Sequence, residues 1–263
     1  MATIAEAFAR AKEENRLALI GYLPAGYPDS ASFVKLARCA FSAGLDILEI
    51  GLPTPDPKYD GDVIRAAYQH VVEAGIDTQT ALDLGEQAIN GTTGAGLAMF
   101  YEESLVEHGA DHLLKACLQK GISAVLPVGF QLSEWLPFAR TAGAINIAPI
   151  GFIPYDMDDT AMHQIAALAG GFLYLQSQNS PTGQQGEFGD EVRERVARVK
   201  KSAADKLPVA IGFGVRHPDD VARIRGIGAD GVIVGTAFLE AAQAGTAALE
   251  SLVRGLGAAA RFS

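Results

Sequence analysis

Cationic residues are scarce. The chain sets 21 Lys and Arg against 31 Asp and Glu, a formal charge of −10, and a field of that sign repels nucleic acid backbones and anionic lipid. Neither nucleic acid nor membrane is expected as a partner, and any phosphate must be captured by local groups. Cysteine is scarcer still. Cys39 and Cys117 fall in helical patterns without CxxC spacing or a nearby His, so they read as two reduced thiols, with neither a disulfide nor a metal. Long apolar runs are also missing: stretches such as 230–239 stop far short of the roughly 20 residues that span a bilayer. Residues 1–15 lack the apolar stretch of a secretory signal, and a cytoplasmic chain is expected.

What the chain does have is core material, with 49% hydrophobic and 20% charged residues. Short β-rich runs recur at 17–23, 45–51, 96–101, 122–127, 145–151, 172–176, 209–212 and 231–234. Between them lie amphipathic stretches such as 31–43, 62–74, 109–118 and 218–227, long enough to be crossover helices between parallel neighbours. Eight βα units are the number that closes a barrel, whereas a doubly wound open sheet commonly has about five to seven strands. The expected fold is an α/β (β/α)8 TIM barrel, with residues 1–263 as a single domain. An extra helix over 4–14, with Ile4, Ala7, Phe8 and Ala11 on one stripe, is expected to plug its bottom. One long loop, 176–189, is rich in Gln, Ser and Gly and is a candidate lid.

Reactive groups in such barrels gather at the C-terminal ends of the strands. In the second run Glu49 alternates with Ile47. If that side faces inward, Glu49 is a carboxyl in an apolar setting, with a raised pKa and a proton to deliver near neutrality; otherwise it is a solvated strand end. The next loop delivers Asp56 and Asp60 just ahead of a helix, where either serves equally well as an N-cap. Two carboxyls in differing environments at one barrel mouth can divide acid and base duties. Gly212-Phe213-Gly214 after the seventh strand and Gly235-Thr236 after the eighth stand where these barrels hold phosphate on backbone N–H groups and a helix N-terminus. His70, His108, His112, His163 and His217 lie in helix-like or turn stretches and read as surface or capping residues. The i, i+4 pair His108 and His112 has no HExxH-type Glu to complete a zinc site. Ser177 and Ser180 lack a GxSxG elbow, and no Lys stands at a strand end for a Schiff base. The residues themselves reach as far as an enzyme acting on a phosphorylated small molecule.

The run Glu49-Ile50-Gly51-Leu52-Pro53, followed by Asp56-Pro57-Lys58-Tyr59-Asp60-Gly61, resembles the signature of the tryptophan synthase α subunit family. The likeness extends through Tyr22, Gly26 and Pro28, Ile145-Asn146-Ile147-Ala148-Pro149, Gly212-Phe213-Gly214-Val215 and Gly235-Thr236-Ala237. The resemblance implies retro-aldol cleavage of indole-3-glycerol phosphate to indole and glyceraldehyde 3-phosphate, in tryptophan biosynthesis. Glu49 would protonate the indole at C3 and assist the glycerol hydroxyl, and Asp60 would stabilise charge developing at the indole N–H. It further implies an indole pocket lined by Tyr22, Tyr101, Tyr174 and Phe213, and a lid in which Thr182 reaches toward Asp60. Phosphate would be held by Gly183, Gly214, Gly235 and Thr236. No metal or organic cofactor is implied for this chain; its implied partner is a PLP-dependent tryptophan synthase β chain, in an αββα heterotetramer.

The chain departs from the family pattern at Pro24 and Tyr27, where Thr and Asp are common, and at Glu102-Glu103-Ser104, where Tyr-Asn-Pro is common. Around Val128-Gly129-Phe130 an Asp-x-Pro is absent, and Lys58 and Tyr59 replace small residues. Many of these positions resemble those that face the β subunit. Two alternatives therefore stay open: a stand-alone lyase that releases free indole, and a catalytically weak regulatory partner of a β chain.

Overall fold

The computed structural model describes residues 1–177, 189–212 and 214–262. Its core is a nine-stranded, wholly parallel sheet in the order β5-β4-β3-β2-β1-β9-β8-β7-β6. The strands are β1 (Ala18–Pro24), β2 (Ile47–Gly51), β3 (Ala95–Tyr101), β4 (Ala124–Val128), β5 (Ala148–Pro149), β6 (Gly151–Ile153), β7 (Leu173–Gln176), β8 (Val209–Gly212) and β9 (Gly231–Val234). The expected TIM barrel is borne out, with its fifth strand in two pieces. β5 pairs with β4, β6 pairs with β7, and between them the Ile150 amide donates to the Val125 carbonyl at 2.9 Å. Pro149 has no N–H to give a ladder, and at that point the strand changes neighbours.

This strand begins later than the 145–151 expected from its apolar run. The preceding helix ends at Ala144 with Ile145 as its C-cap, and Asn146 takes φ 61°. Ile145 to Ile147 are thus spent on the helix exit. The other expected strands fall within a few residues of those observed. β1, β2 and β3 are buried along their whole length, because a parallel sheet covered by helices has no solvent face.

Twelve helices alternate with the strands among the described residues. Those used below are α1 (Ile4–Glu13), α3 (Asp62–Glu73), α5 (Glu102–His108), α7 (Leu132–Ala144) and α11 (Thr236–Ala244). Helix α1 starts on a capping box between Thr3 and Glu6 and buries Ile4, Ala7, Phe8 and Ala11. Phe8 packs on Phe172 with ring centroids 5.4 Å apart, which seats the helix under the N-terminal ends of the strands. Beside it Asp46, 1% exposed, receives the Arg16 guanidinium at 2.5 and 2.9 Å and Arg10 at 3.1 Å. The Leu19 amide also donates to Asp46, at 2.9 Å. A buried carboxylate is tolerable only when so fully paired, and this one ties the segment before β1 to the start of β2. Among the described residues no helix is long and apolar enough to cross a membrane.

Candidate active site

At the opposite end the strands surround a cavity of about 580 Å³, within the range of pockets that take small organic ligands. Met99 and Tyr101, Leu126 and Val128, and Tyr174 and Gln176 all border it. This is the period-two alternation that sends every second side chain of a strand inward. Tyr22 and Glu49, register partners across β1 and β2, complete the floor.

Glu49 therefore faces the cavity, which decides between the two orientations its strand allowed. It is 4% exposed, and Oε2 has no hydrogen-bond partner among the described residues. Burial, reinforced by the charge of Asp60, pushes its carboxyl up to about 8. A group so placed keeps its proton at neutral pH.

Asp60 borders the same cavity and is 6% exposed. Two local turns set it there: Lys58 N–H donates to the Asp56 carbonyl at 2.9 Å, and Asp60 N–H donates to the Pro57 carbonyl at 3.0 Å. The N-cap of α3 is Gly61, with no side-chain cap bond, so Asp60 is not spent on capping. Asp56 is exposed and lies away from the cavity wall. The Tyr101 hydroxyl donates to Asp60 Oδ2 at 2.5 Å. Burial, then the charge of Asp60, raises the Tyr101 phenol, so it remains a donor at any ordinary pH. Tyr22 and Tyr174 are likewise raised, chiefly by burial.

Two contributors escaped sequence reasoning. Tyr68, on α3, is fully buried; its ring meets Tyr101 edge-on at 6.3 Å, and its hydroxyl reaches Met99 Sδ at 3.5 Å. A side chain on Gly51 would lie 2.5 Å from the Tyr68 hydroxyl and 2.8 Å from that of Tyr22, so the glycine of the Glu-Ile-Gly run makes room for two phenols. The only hint of Tyr68 was its place on the apolar stripe of Ile64, Ala67 and Val71. Tyr59, half exposed, stacks on Tyr101 with centroids 6.1 Å apart and planes 7° off parallel. It forms part of the cavity wall.

Gly235 also borders the space and is the N-cap of α11, which Thr236 opens. The first amides of a helix have no internal acceptors and favour an anion. Gly214, two residues past β8, and Thr236, next to Gly235, are both buried and are not part of the cavity lining. Thr182, Gly183, Phe213 and most of the candidate lid over 176–189 lie outside the described residues.

An acid, a second carboxylate bound to a phenol, an aromatic wall and a helix N-terminus thus surround one cavity. The sequence model of the tryptophan synthase alpha chain family matches residues 8–261. The chain belongs to that family. Its family's reaction is the lyase cleavage of indole-3-glycerol phosphate in tryptophan biosynthesis. Among named relatives, the alpha chain of Desulfosudis oleivorans is 33% identical over 90% of this chain and 89% of its own length. That of Mycobacterium ulcerans is 32% identical over 97% and 93%. A solved structure of Mycobacterium tuberculosis tryptophan synthase shares the fold with a TM-score of 0.91 at 28% identity, over 100% of both chains.

Proposed function

We propose that the whole chain acts as one barrel domain in which Glu49 and Asp60 carry out the retro-aldol cleavage of indole-3-glycerol phosphate. The observation that carries this reading is a buried Glu49 whose Oε2 has no hydrogen-bond partner among the described residues, facing the same cavity as Asp60, with burial raising its carboxyl to about 8. Glu49 gives its proton to C3 of the indole ring, and the ring nitrogen becomes cationic. Asp60 stabilises that charge at the N–H. The emptied Glu49 carboxylate then takes the proton of the glycerol hydroxyl next to the ring as the carbon–carbon bond breaks. Its electron pair returns to the ring, leaving indole and the aldehyde of glyceraldehyde 3-phosphate. Tyr22, Tyr101 and Tyr174 wall the indole, and Gly235 with the α11 amides receives the phosphate, joined by Gly214 and Thr236. Thr182, Gly183 and Phe213 belong to this site on the family likeness alone.

The relatives carry the name of one chain of a two-chain enzyme, and a β chain that consumes indole is the natural partner in an αββα assembly. One observation favours a chain that also works alone: Asp60 is held by Tyr101 of its own barrel. A catalytically weak regulatory subunit has no need of the intact Glu49 and Asp60. Cys39 and Cys117 are free thiols, which suits the reducing cytoplasm.

The deciding measurement is indole release from indole-3-glycerol phosphate by the purified chain, with and without a β subunit, beside Glu49→Gln. Activity in the wild type and its loss in the variant are expected. A wild type inactive under both conditions sinks the reading, and full activity alone with no response to β selects the stand-alone enzyme.

A further inference from the structure

The loop of residues 52–61 would cost conformational entropy to hold still, since it has little regular structure of its own. Three consecutive residues at its tip are nevertheless fastened to the ends of the neighbouring strands. Lys58 Nζ lies 2.5 Å from Glu102 Oε1 and 3.8 Å from Glu103 Oε1, at the point where β3 passes into α5. Tyr59 stacks on Tyr101, and its ring also lies close to Gly129, between β4 and α7. A Cβ on Gly129, where φ is +87°, would come within 2.7 Å of the Tyr59 ring. Asp60 is bound by the Tyr101 hydroxyl. Lys58 is also fixed through its own carbonyl, which accepts from Arg65 at 3.2 Å, and its ammonium stands 5.6 Å from the Tyr59 ring centre.

We infer that Lys58 and Tyr59 form a clamp that positions Asp60 over the cavity, with Glu102, Glu103 and Gly129 as its seat. The inference rests on the reading of Asp60 as the charge-stabilising carboxylate. Lys58 is a positioning residue and touches no reacting atom. Its side chain and those of both glutamates are 34 to 44% exposed, so each ion pair alone contributes little. The arrangement gains from joining one ammonium to two carboxylates on a fixed strand end. Lys58 also offsets two adjacent negative charges, Glu102 and Glu103. The Tyr59 stack then passes the constraint to the next residue.

Two readouts test the clamp in the full chain. The first is hydrogen exchange at the amides of Lys58 and Asp60, which depends on loop geometry and not on the reaction. The second is steady-state indole release. Lys58→Met is expected to speed exchange and to lower kcat, each by about two- to fivefold, the range of a small exposed network, with KM nearly unchanged. Lys58→Arg and the charge-exchanged pair Lys58→Glu with Glu102→Lys should restore both. At about 1 M salt, where screening acts within roughly 3 Å, the wild type should approach Lys58→Met. Gly129→Ala, which displaces Tyr59 without touching a charge, should lower kcat with no salt dependence of its own. Unchanged exchange in Lys58→Met, faster exchange with unchanged kcat, or failure of the exchanged pair to restore either readout overturns the clamp. A wild type that releases no indole instead sinks the proposed reaction, and the exchange measurements still decide the clamp.

Discussion

The Tyr101 phenol reaches from the end of a barrel strand to Asp60 Oδ2 at 2.5 Å, so the carboxylate of a loop is aimed by a side chain of the rigid core. A hydrogen bond to a charged group contributes about 1.5–3 kcal/mol. If Asp60 acts on charge that develops only in the transition state, that contribution appears in kcat. Tyr101→Phe is expected to lower kcat about ten- to a hundredfold and to leave KM within about threefold. Steady-state kinetics on indole-3-glycerol phosphate check this; a rise in KM alone would make Tyr101 a binding residue only.

The proposed acid, Glu49, is expected to show in the pH profile. Glu49 must be protonated to act and is pushed up to about 8, so kcat/KM should be level near neutrality and fall as pH rises through about 8. Glu49→Gln should lose about a hundred- to ten-thousandfold in rate, the usual reach of a positioned acid. Its residual activity should lack the alkaline limb.

The same residue affects folding with a definite sign. The Glu49 carboxyl is raised in the folded chain to about 8, against about 4.3 when unfolded. Between those values the folded state holds a proton that the unfolded state releases, so stability falls as pH rises across this window. Below about pH 4 the full contribution is present; above about 8 it is gone. Glu49→Gln cannot ionise, and its stability should vary less from pH 4 to 8, with a gain over wild type on the order of a few kcal/mol at the alkaline end. Urea unfolding across that range measures the difference.

At the other end of the barrel, Asp46→Asn leaves Arg16 and Arg10 facing a neutral amide. Breaking a buried ion pair costs about 3–5 kcal/mol. The lower end applies here because Arg16 keeps Glu14 at 2.7 Å. The urea midpoint should drop accordingly, while kcat per folded molecule stays unchanged, since the cavity lies across the full length of the strands.

Strands were legible wherever a run was apolar nearly throughout, as in β1 and β3, and in β2 apart from Glu49. Apolarity alone cannot tell strand from helix exit, which is why Ile145 and Ile147 misplaced the start of β5. The site was half legible. Alternation put Glu49 and Ile47 on one side of β2 without saying which side was the interior. Cap chemistry and catalysis both favour an acid before a helix, so only Gly61 in the cap position separated them for Asp60. Tyr68 contributes its hydroxyl from a helix stripe that reads as plain core. Lys58 and Tyr59 read as departures from a family pattern, because a loop lysine is ordinarily solvated and its partner lies 44 residues away.

The split of the fifth strand divides the ring unequally in chemical terms. The run from β1 to β5 and its loops carry both carboxyls, whereas β6 to β9 lead into the glycines and the α11 terminus at the proposed phosphate end. Near the divide, Ile150 keeps the 2.9 Å bond to Val125. Should the barrel widen there, no continuous ladder need break, and the proposed seats for ring and phosphate would stay together, because β9 remains paired with β1 and β1 with β2. The seam can then give without disturbing the mouth that β2, β1 and β9 form together.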